Sequence, residues 1–218
     1  ERHMSKARTF LVTTALVTGL TAIPVQAQDF SITAGATLTS RYLASGIEQT
    51  RGAVFQPYIE AEIEGFYAGI WASNVSRKLT GHRGEVDLYL GYRNEVGAFS
   101  YDVGYTRYLY TGRWSNCCGE AHIALGYALT DELSFEGKVA FDPQARVSTL
   151  SLSGMLAVSD QVSLHGTVGR INKGGHVFAE IGLGYAFTDA LAANLSVHNT
   201  TISKPTAVLS IDYSFNLR

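Results

Sequence analysis

GEVDLYLGYRNEVGAFSYDVGYTRYLY, residues 84–110, alternates between apolar and polar side chains in both of its halves. Alternate side chains of a strand point to opposite faces, so each half predicts an amphipathic β-strand. The short connection at Val96–Ala98 joins the halves and predicts a β-hairpin. One face carries Val86, Leu88, Leu90, Tyr92, Phe99, Tyr101, Val103 and Tyr105, whereas the other mixes charged and small residues.

These strands are about ten residues long, which is the length of a tilted strand that crosses a bilayer. A soluble sandwich would alternate too, with its charged face turned to water. Here an aromatic-rich apolar face lies opposite a crowded polar face, which suits lipid outside a barrel and a polar lumen inside it. We therefore predict an all-β protein, a transmembrane up-and-down antiparallel β-barrel of about 12 strands.

The composition fits a single domain of this class. The 218 residues include 22 glycines, 12 tyrosines and only 4 prolines, which favours strands over helices. No run after residue 27 approaches the roughly twenty apolar residues of a transmembrane helix. Without residues 1–27 the chain has 17 − 3 = 14 basic and 19 − 1 = 18 acidic residues. This net charge of −4 gives no indication of nucleic-acid binding.

The N-terminal segment has the features of a Sec signal peptide. Lys6 and Arg8 follow Met4, the run Phe10–Ile23 is apolar, and Ala27 ends a small-x-small cleavage site. The apolar run is short for the alternative, a membrane anchor. We divide the chain into a leader at 1–27, with the signal peptide from Met4, and one barrel domain at 28–218.

Repeated turn motifs set the remaining strand boundaries. IALGYALTDEL begins at Ile123 and IGLGYAFTDAL at Ile181, and in both an apolar strand runs into a Thr-Asp turn. We expect Asp and Ser side chains to stabilise these turns. Pro57 indicates a bulge or a strand end. The predicted strands are 30–42, 53–64, 66–75, 84–95, 99–110, 119–129, 132–142, 147–158, 162–171, 176–187, 191–201 and 206–217.

An even strand number places both termini at the periplasmic end and the longer loops, including 43–52, outside. On the lipid-facing side, Leu88 is predicted near the middle of its strand and Arg107 near the outer end of the next. Rim residues Arg77, Lys78, Arg83 and Arg113 are either simply solvated or contact lipopolysaccharide phosphates. Cys117 and Cys118 fit either a vicinal disulfide or two free thiols.

The charged residues that strand alternation places on the lumen side are mainly carboxylates. The pore-lining candidates are Glu60, Glu62, Glu85, Asp87, Arg93, Asp102, Glu120, Glu136, Lys138, Glu180 and Asp212. Rings of carboxylates favour cations in a pore. A salt-bridged plug that fills the barrel is the alternative, since twelve strands lie between filled and channel-forming sizes.

The chain resembles the TorF-type porins, a family of exported outer-membrane barrels. The resemblance rests on LTSRYLASGIEQTR (38–51), FYAGIWASNV (66–75) and residues 85–110. Arg41 and Ser45 depart from the family's Asp and Arg, whereas Gln49-Thr50 is kept. The resemblance implies a barrel in the bacterial outer membrane more than it implies a substrate.

We predict a porin-like channel for passive diffusion of small hydrophilic solutes or ions, with weak cation preference. The alternatives are a non-conducting structural or adhesion barrel and, third, a lipid hydrolase. His165 beside Thr167 and His198 beside Thr200 lack a clearly allied carboxylate, so we predict no enzyme. No catalytic, cofactor or metal residue is assigned. Expected partners are outer-membrane lipid, lipopolysaccharide, the outer-membrane assembly machinery and small solutes or ions; the sequence leaves the oligomeric state open.

Overall fold

The computed structural model describes residues 30–111 and 118–218, so the leader at 1–27 and the cleavage site lie outside the described residues. Twelve antiparallel strands form a closed barrel, and a two-stranded hairpin, β2–β3, lies in the first outer connection. The strands are β1 Phe30–Thr39, β2 Leu43–Ala44, β3 Ile47–Glu48, β4 Val54–Ile63, β5 Phe66–Asn74, β6 Gly84–Val96, β7 Phe99–Tyr110, β8 Cys118–Ala128, β9 Leu133–Asp142, β10 Val147–Ala157, β11 Val162–Ile171, β12 Val177–Ala186, β13 Leu191–Thr200 and β14 Ser203–Asn216.

Each barrel strand pairs with its neighbour in sequence, and β14 closes the ring against β1. Closure leaves no edge strand, which lipid requires because it offers no hydrogen-bond partner for backbone groups. The large apolar side chains of the barrel are exposed on the outside, as at Leu90 (59 %) and Ile181 (66 %), whereas inward residues such as Asp102 are buried. The predicted transmembrane up-and-down barrel is therefore confirmed.

The inner turns are tight, and hydroxyl groups stabilise them. Thr130 Oγ1 accepts hydrogen bonds from the backbone N–H groups of Glu132 and Leu133, and Thr188 Oγ1 does the same for residues 190 and 191. In the turn between β10 and β11, Ser159 Oγ accepts the equivalent hydrogen bonds from the backbone N–H groups of Gln161 and Val162. The predicted turn positions are confirmed, and the threonine of each Thr-Asp pair accepts these backbone hydrogen bonds.

Among the described residues, two short helical segments lie in the outer connections. They are α1 at Arg77–Thr80 and a 3₁₀ turn at Lys173–Gly175. Within the described ranges, no helix has the length and apolar character to span a membrane.

Three details differ from the sequence-based expectations. The last strand begins at Ser203 instead of 206, because it forms a tighter hairpin with β13. Pro57 lies inside β4 opposite Ala36, and the β4–β5 ladder begins one residue later. A proline without an N–H is tolerated there because the ladder to β5 stops at that point.

The third difference concerns membrane depth. Leu88 and Arg107 are direct cross-strand partners. Cross-strand partners lie at nearly the same depth in the membrane. The expectation that Leu88 lies near the midplane and Arg107 near the outer end of its strand is therefore wrong. The middle residue of β6 is Leu90.

Candidate functional site: the lumen of the barrel

Arg93 holds two carboxylates near the inner end of the lumen. Its guanidinium donates to Glu60 Oε1 at 2.5 Å and to Glu62 Oε2 from Nε at 2.9 Å. Glu60 and Glu62 lie two residues apart on β4, so strand alternation places both on the lumen face. The guanidinium carbon also lies 4.6 Å from the centre of the Tyr67 ring, a cation–π arrangement. The single positive charge of Arg93 thus faces the two negative charges of Glu60 and Glu62.

Tyr67 links this ion group to a second carboxylate. Its hydroxyl donates to Asp102 Oδ1 at 2.7 Å, and His122 Nε2 lies 3.2 Å from the same oxygen. Asp102 and Arg93 are opposite each other in the β6–β7 ladder, yet the arginine bonds to β4 instead. Asp102 is therefore held by a tyrosine and a histidine, not by the arginine.

A group of carboxylates and tyrosines lies nearer the outer end. Tyr110 donates to Glu85 at 3.0 Å, and Tyr108 donates to Glu120 at 2.5 Å. Asp87 lies opposite Tyr108 in the ladder. Among the residues with described positions, no cation forms a salt bridge with these three carboxylates. Glu85 is nevertheless buried, with an exposed fraction of 3 %. Along β6–β8, the outer part of the lumen wall thus carries three carboxylates that have no described cation as a salt-bridge partner.

A histidine–carboxylate group on β11–β13 was missed from the sequence. Glu180 Oε1 lies 3.3 Å from His165 Nε2, and its Oε2 lies 3.4 Å from His198 Nδ1. Ser196 Oγ is 2.9 Å from His198 Nε2. The expectation that neither histidine has an allied carboxylate is therefore wrong. Glu180 and His198 are cross-strand partners. Their proximity could be recognised only once the register between β12 and β13 was known.

This order of serine, histidine and carboxylate matches the hydrogen-bond chain of a nucleophilic triad. Ser196 is only 2 % exposed, however, so a substrate atom has no approach to its hydroxyl. The arrangement instead places the buried Glu180 carboxylate beside two histidines and joins Ser196 to His198 by a hydrogen bond, while Glu180 Oε1 and both ring nitrogens of His165 form no hydrogen bond with the described residues.

The remaining predicted residues are distributed around the wall and the rim. Asp212 accepts a hydrogen bond from Thr37 at 2.5 Å across the closing β1–β14 pair. Glu136 and Lys138 lie two residues apart on β9 and share its inward face. Arg77, Lys78 and Arg83 are exposed in the β5–β6 connection, and Arg113 lies outside the described residues.

Cys118 begins β8 and is disulfide-bonded. The sequence holds one other cysteine, Cys117, which lies outside the described residues. Within 30–111 and 118–218, no group of three or more His, Cys, Asp or Glu side chains is arranged to hold a metal ion.

The architecture resembles solved porin structures. The structure "KdgM porin" superposes with a TM-score of 0.64 at 12 % sequence identity, over 85 % of this chain and 99 % of that chain. A second, "KdgM porin in complex with disordered oligogalacturonate", gives 0.63 at 12 % identity with the same coverage. "NanC porin" gives 0.56 at 9 % identity, over 85 % and 100 % of the two chains. At such identities the likeness establishes the fold.

Residues 25–151 match a family model described as "Bacterial protein of unknown function (Gcw_chp)". No curated protein matches the chain. The resemblance drawn from the sequence is therefore confirmed for a porin-like barrel, whereas the family model that matches carries a description other than TorF.

Proposed function

Because the chain belongs to the Gcw_chp family of bacterial proteins, whose model matches more than half of its 218 residues, and folds as a closed barrel, we propose a porin-like channel of the bacterial outer membrane. It would pass small hydrophilic solutes or ions by diffusion. The observation that carries this proposal is a lumen lined by charged and hydroxyl side chains inside an apolar outer surface. The porin fold of the solved neighbours supports it.

We further propose a weak preference for cations. In the outer half of the lumen, Glu85, Asp87 and Glu120 have tyrosines, not described cations, as their neighbours. Fields from carboxylates in a narrow passage are screened less than on an open surface. At the inner end Arg93 compensates only Glu60 and Glu62.

One of the solved KdgM structures is a complex with oligogalacturonate, which is a polyanion. We do not extend that ligand to this chain, because an acidic lumen would repel it.

Planar-bilayer recordings of the purified barrel test both parts. We expect discrete conductance steps and, in a salt gradient, a reversal potential whose sign indicates cation selectivity. The double variant Asp87→Asn, Asp102→Asn should move that potential toward zero, whereas Asp131→Asn, in an exposed inner turn, should leave it unchanged. An anionic reversal potential in the unmodified barrel would assign selectivity to the basic rim instead.

A non-conducting structural barrel is the second candidate. Many inward side chains are almost fully buried, including Ser163 at 1 % and Asn194 at 4 % exposure, so the wall side chains crowd one another. A folded barrel that gives no conductance steps would favour this candidate.

A further inference from the structure

The first outer connection folds inward over the mouth of the barrel. Strands β2 and β3 form a minimal hairpin whose two-residue turn is Ser45-Gly46. Both residues have positive φ angles, 47° and 75°, as a type I′ turn requires. The hairpin is thus a defined element with its own register, not an irregular loop.

The base of this hairpin is firmly attached. Tyr42 N donates to Thr50 Oγ1 at 3.0 Å, and Gln49 N donates to the Tyr42 carbonyl at 2.8 Å. Ser76 N, in the neighbouring outer connection, donates to the Gln49 carbonyl at 2.9 Å.

Glu48 adds an ionic clamp at the same base. It binds Arg41 at 2.8 Å and Arg51 at 2.7 Å. Burial raises the pKa of the Glu48 carboxyl, but the hydrogen bonds from Arg51 and Arg41 outweigh burial and hold this pKa below its ordinary value. Glu48 therefore remains ionised and paired at neutral pH.

The tip of the hairpin contacts the inner wall at β12 and β13. A Cβ on Gly46 would lie 2.7 Å from Phe178 Cβ, 2.9 Å from Thr200 Cγ2 and 3.3 Å from His176 Nε2. His176 Nε2 lies 2.9 Å from the Ser45 carbonyl oxygen. A carbonyl only accepts, so this nitrogen carries the proton and donates.

These contacts join the hairpin to strands that are not its neighbours in the ring. The hairpin is attached to β1 and β4, whereas Phe178 belongs to β12 and Thr200 to β13. In the order of twelve strands, β12 lies three positions from β1 and four from β4. Phe178 and Thr200 alternate inward, and Phe178 is 8 % exposed. The hairpin therefore crosses part of the outer opening and ends against the inner wall.

We infer that the β2–β3 hairpin is a gate at the outer mouth of the channel, latched by the seating of Gly46 and the hydrogen bond from His176. This inference rests on the proposed channel function. When the latch is closed, the hairpin narrows the outer entrance of the lumen. When it is released, the hairpin can pivot about its clamped base and widen the entrance.

Gly46→Val tests the latch from the hairpin side, because the added carbons collide with Phe178 and valine disfavours a positive φ. Gly81→Val is the matched control. Gly81 also lies in an outer connection with φ of 83°, but a Cβ there meets nothing within 4 Å. His176→Ala tests the latch from the wall side and leaves the hairpin sequence intact. His176→Gln, whose amide can donate, should restore part of the latch.

Two measurements are combined on folded barrels in lipid. Hydrogen exchange followed by mass spectrometry should show faster exchange in the 43–50 peptide for Gly46→Val and His176→Ala, with unchanged strand peptides. Loss of one hydrogen bond should raise the ratio of open to closed gate about fivefold, and Gly46→Val should raise it further. Bilayer recordings should show this as longer or larger openings, with Gly81→Val equal to the wild type.

Faster exchange in the hairpin without a change in conductance would overturn the gate while the channel stands. Unchanged exchange in both latch variants would overturn the latch itself. Absence of conductance in every variant, with the hairpin loosened, would overturn the gate together with the proposed channel function.

Discussion

Placing an arginine at two depths on the lipid face of β6 tests the register of the barrel in the membrane. Leu90 is the middle residue of β6 and lies between Ala68 and Tyr105 on the neighbouring strands. Val86 has the same outward parity, four residues nearer the outer end. Both positions lie on a strand that is paired on both sides, so depth in the membrane is the main difference between them.

The expected difference follows from strand geometry. A rise of about 3.4 Å per residue and a tilt of about 40° separate the two positions by about 10 Å along the membrane normal. The apolar band of such barrels is about 25 Å tall, so Val86 lies close to its outer boundary if Leu90 lies at its centre. We expect Leu90→Arg to cost about 2–4 kcal/mol and Val86→Arg about 0–1 kcal/mol. An arginine at 86 can also extend its guanidinium to the headgroups.

Reversible urea unfolding in lipid vesicles measures both costs. A difference of about 2–3 kcal/mol corresponds to roughly a 30- to 150-fold difference in the unfolding equilibrium. Val86→Leu and Leu90→Val serve as controls for side-chain volume. Equal costs for the two arginines, or a larger cost at Val86, would refute the placement of β6 in the bilayer.

Two further outcomes are expected. Tyr67→Phe removes the donor to Asp102 and should cost about 1.5–3 kcal/mol in the same unfolding assay, whereas Tyr105→Phe, on the lipid side, should cost less; equal losses would contradict the Tyr67–Asp102 bond. Deleting Tyr213–Arg218 removes four of the seven β14 residues that pair with β1 and leaves unpaired backbone in lipid. Heat-modifiable gel mobility should then show no folded barrel, and normal yields of folded barrel would contradict the closure.

The stability of the lumen depends on groups that compensate one another. Arg93 serves Glu60 and Glu62 together, and Tyr67 contacts both Arg93 and Asp102. Removing one member of such a network leaves the others buried without partners, which costs more than the lost bond alone. Single substitutions here will therefore combine effects on stability and on conductance, and folding should be verified before any change in current is interpreted.

The alternating pattern of the sequence was sufficient to predict the barrel, its strand number and the inward parity of the carboxylates. Side chains alternate between the two faces of a strand, so a register shift of one residue would turn all apolar side chains of that strand inward. The alternation therefore constrains the register strongly. The turn positions at Thr130 and Thr188 were equally readable from the repeated motif. These features depend on residues that are near one another in the chain.

What the tertiary structure decided depends on the register between strands and on closure of the ring. Only the register places Glu180 between His165 and His198, sets Arg93 on Glu60 and Glu62, and brings Leu88 level with Arg107. Only the closed ring brings the tip at Gly46 to Phe178, 132 residues further along the chain (178 − 46 = 132). Alternation assigns a side chain to a face, but which other side chains share its height and its side of the lumen is fixed by cross-strand hydrogen bonds and by closure, and neither leaves a local signal in the sequence.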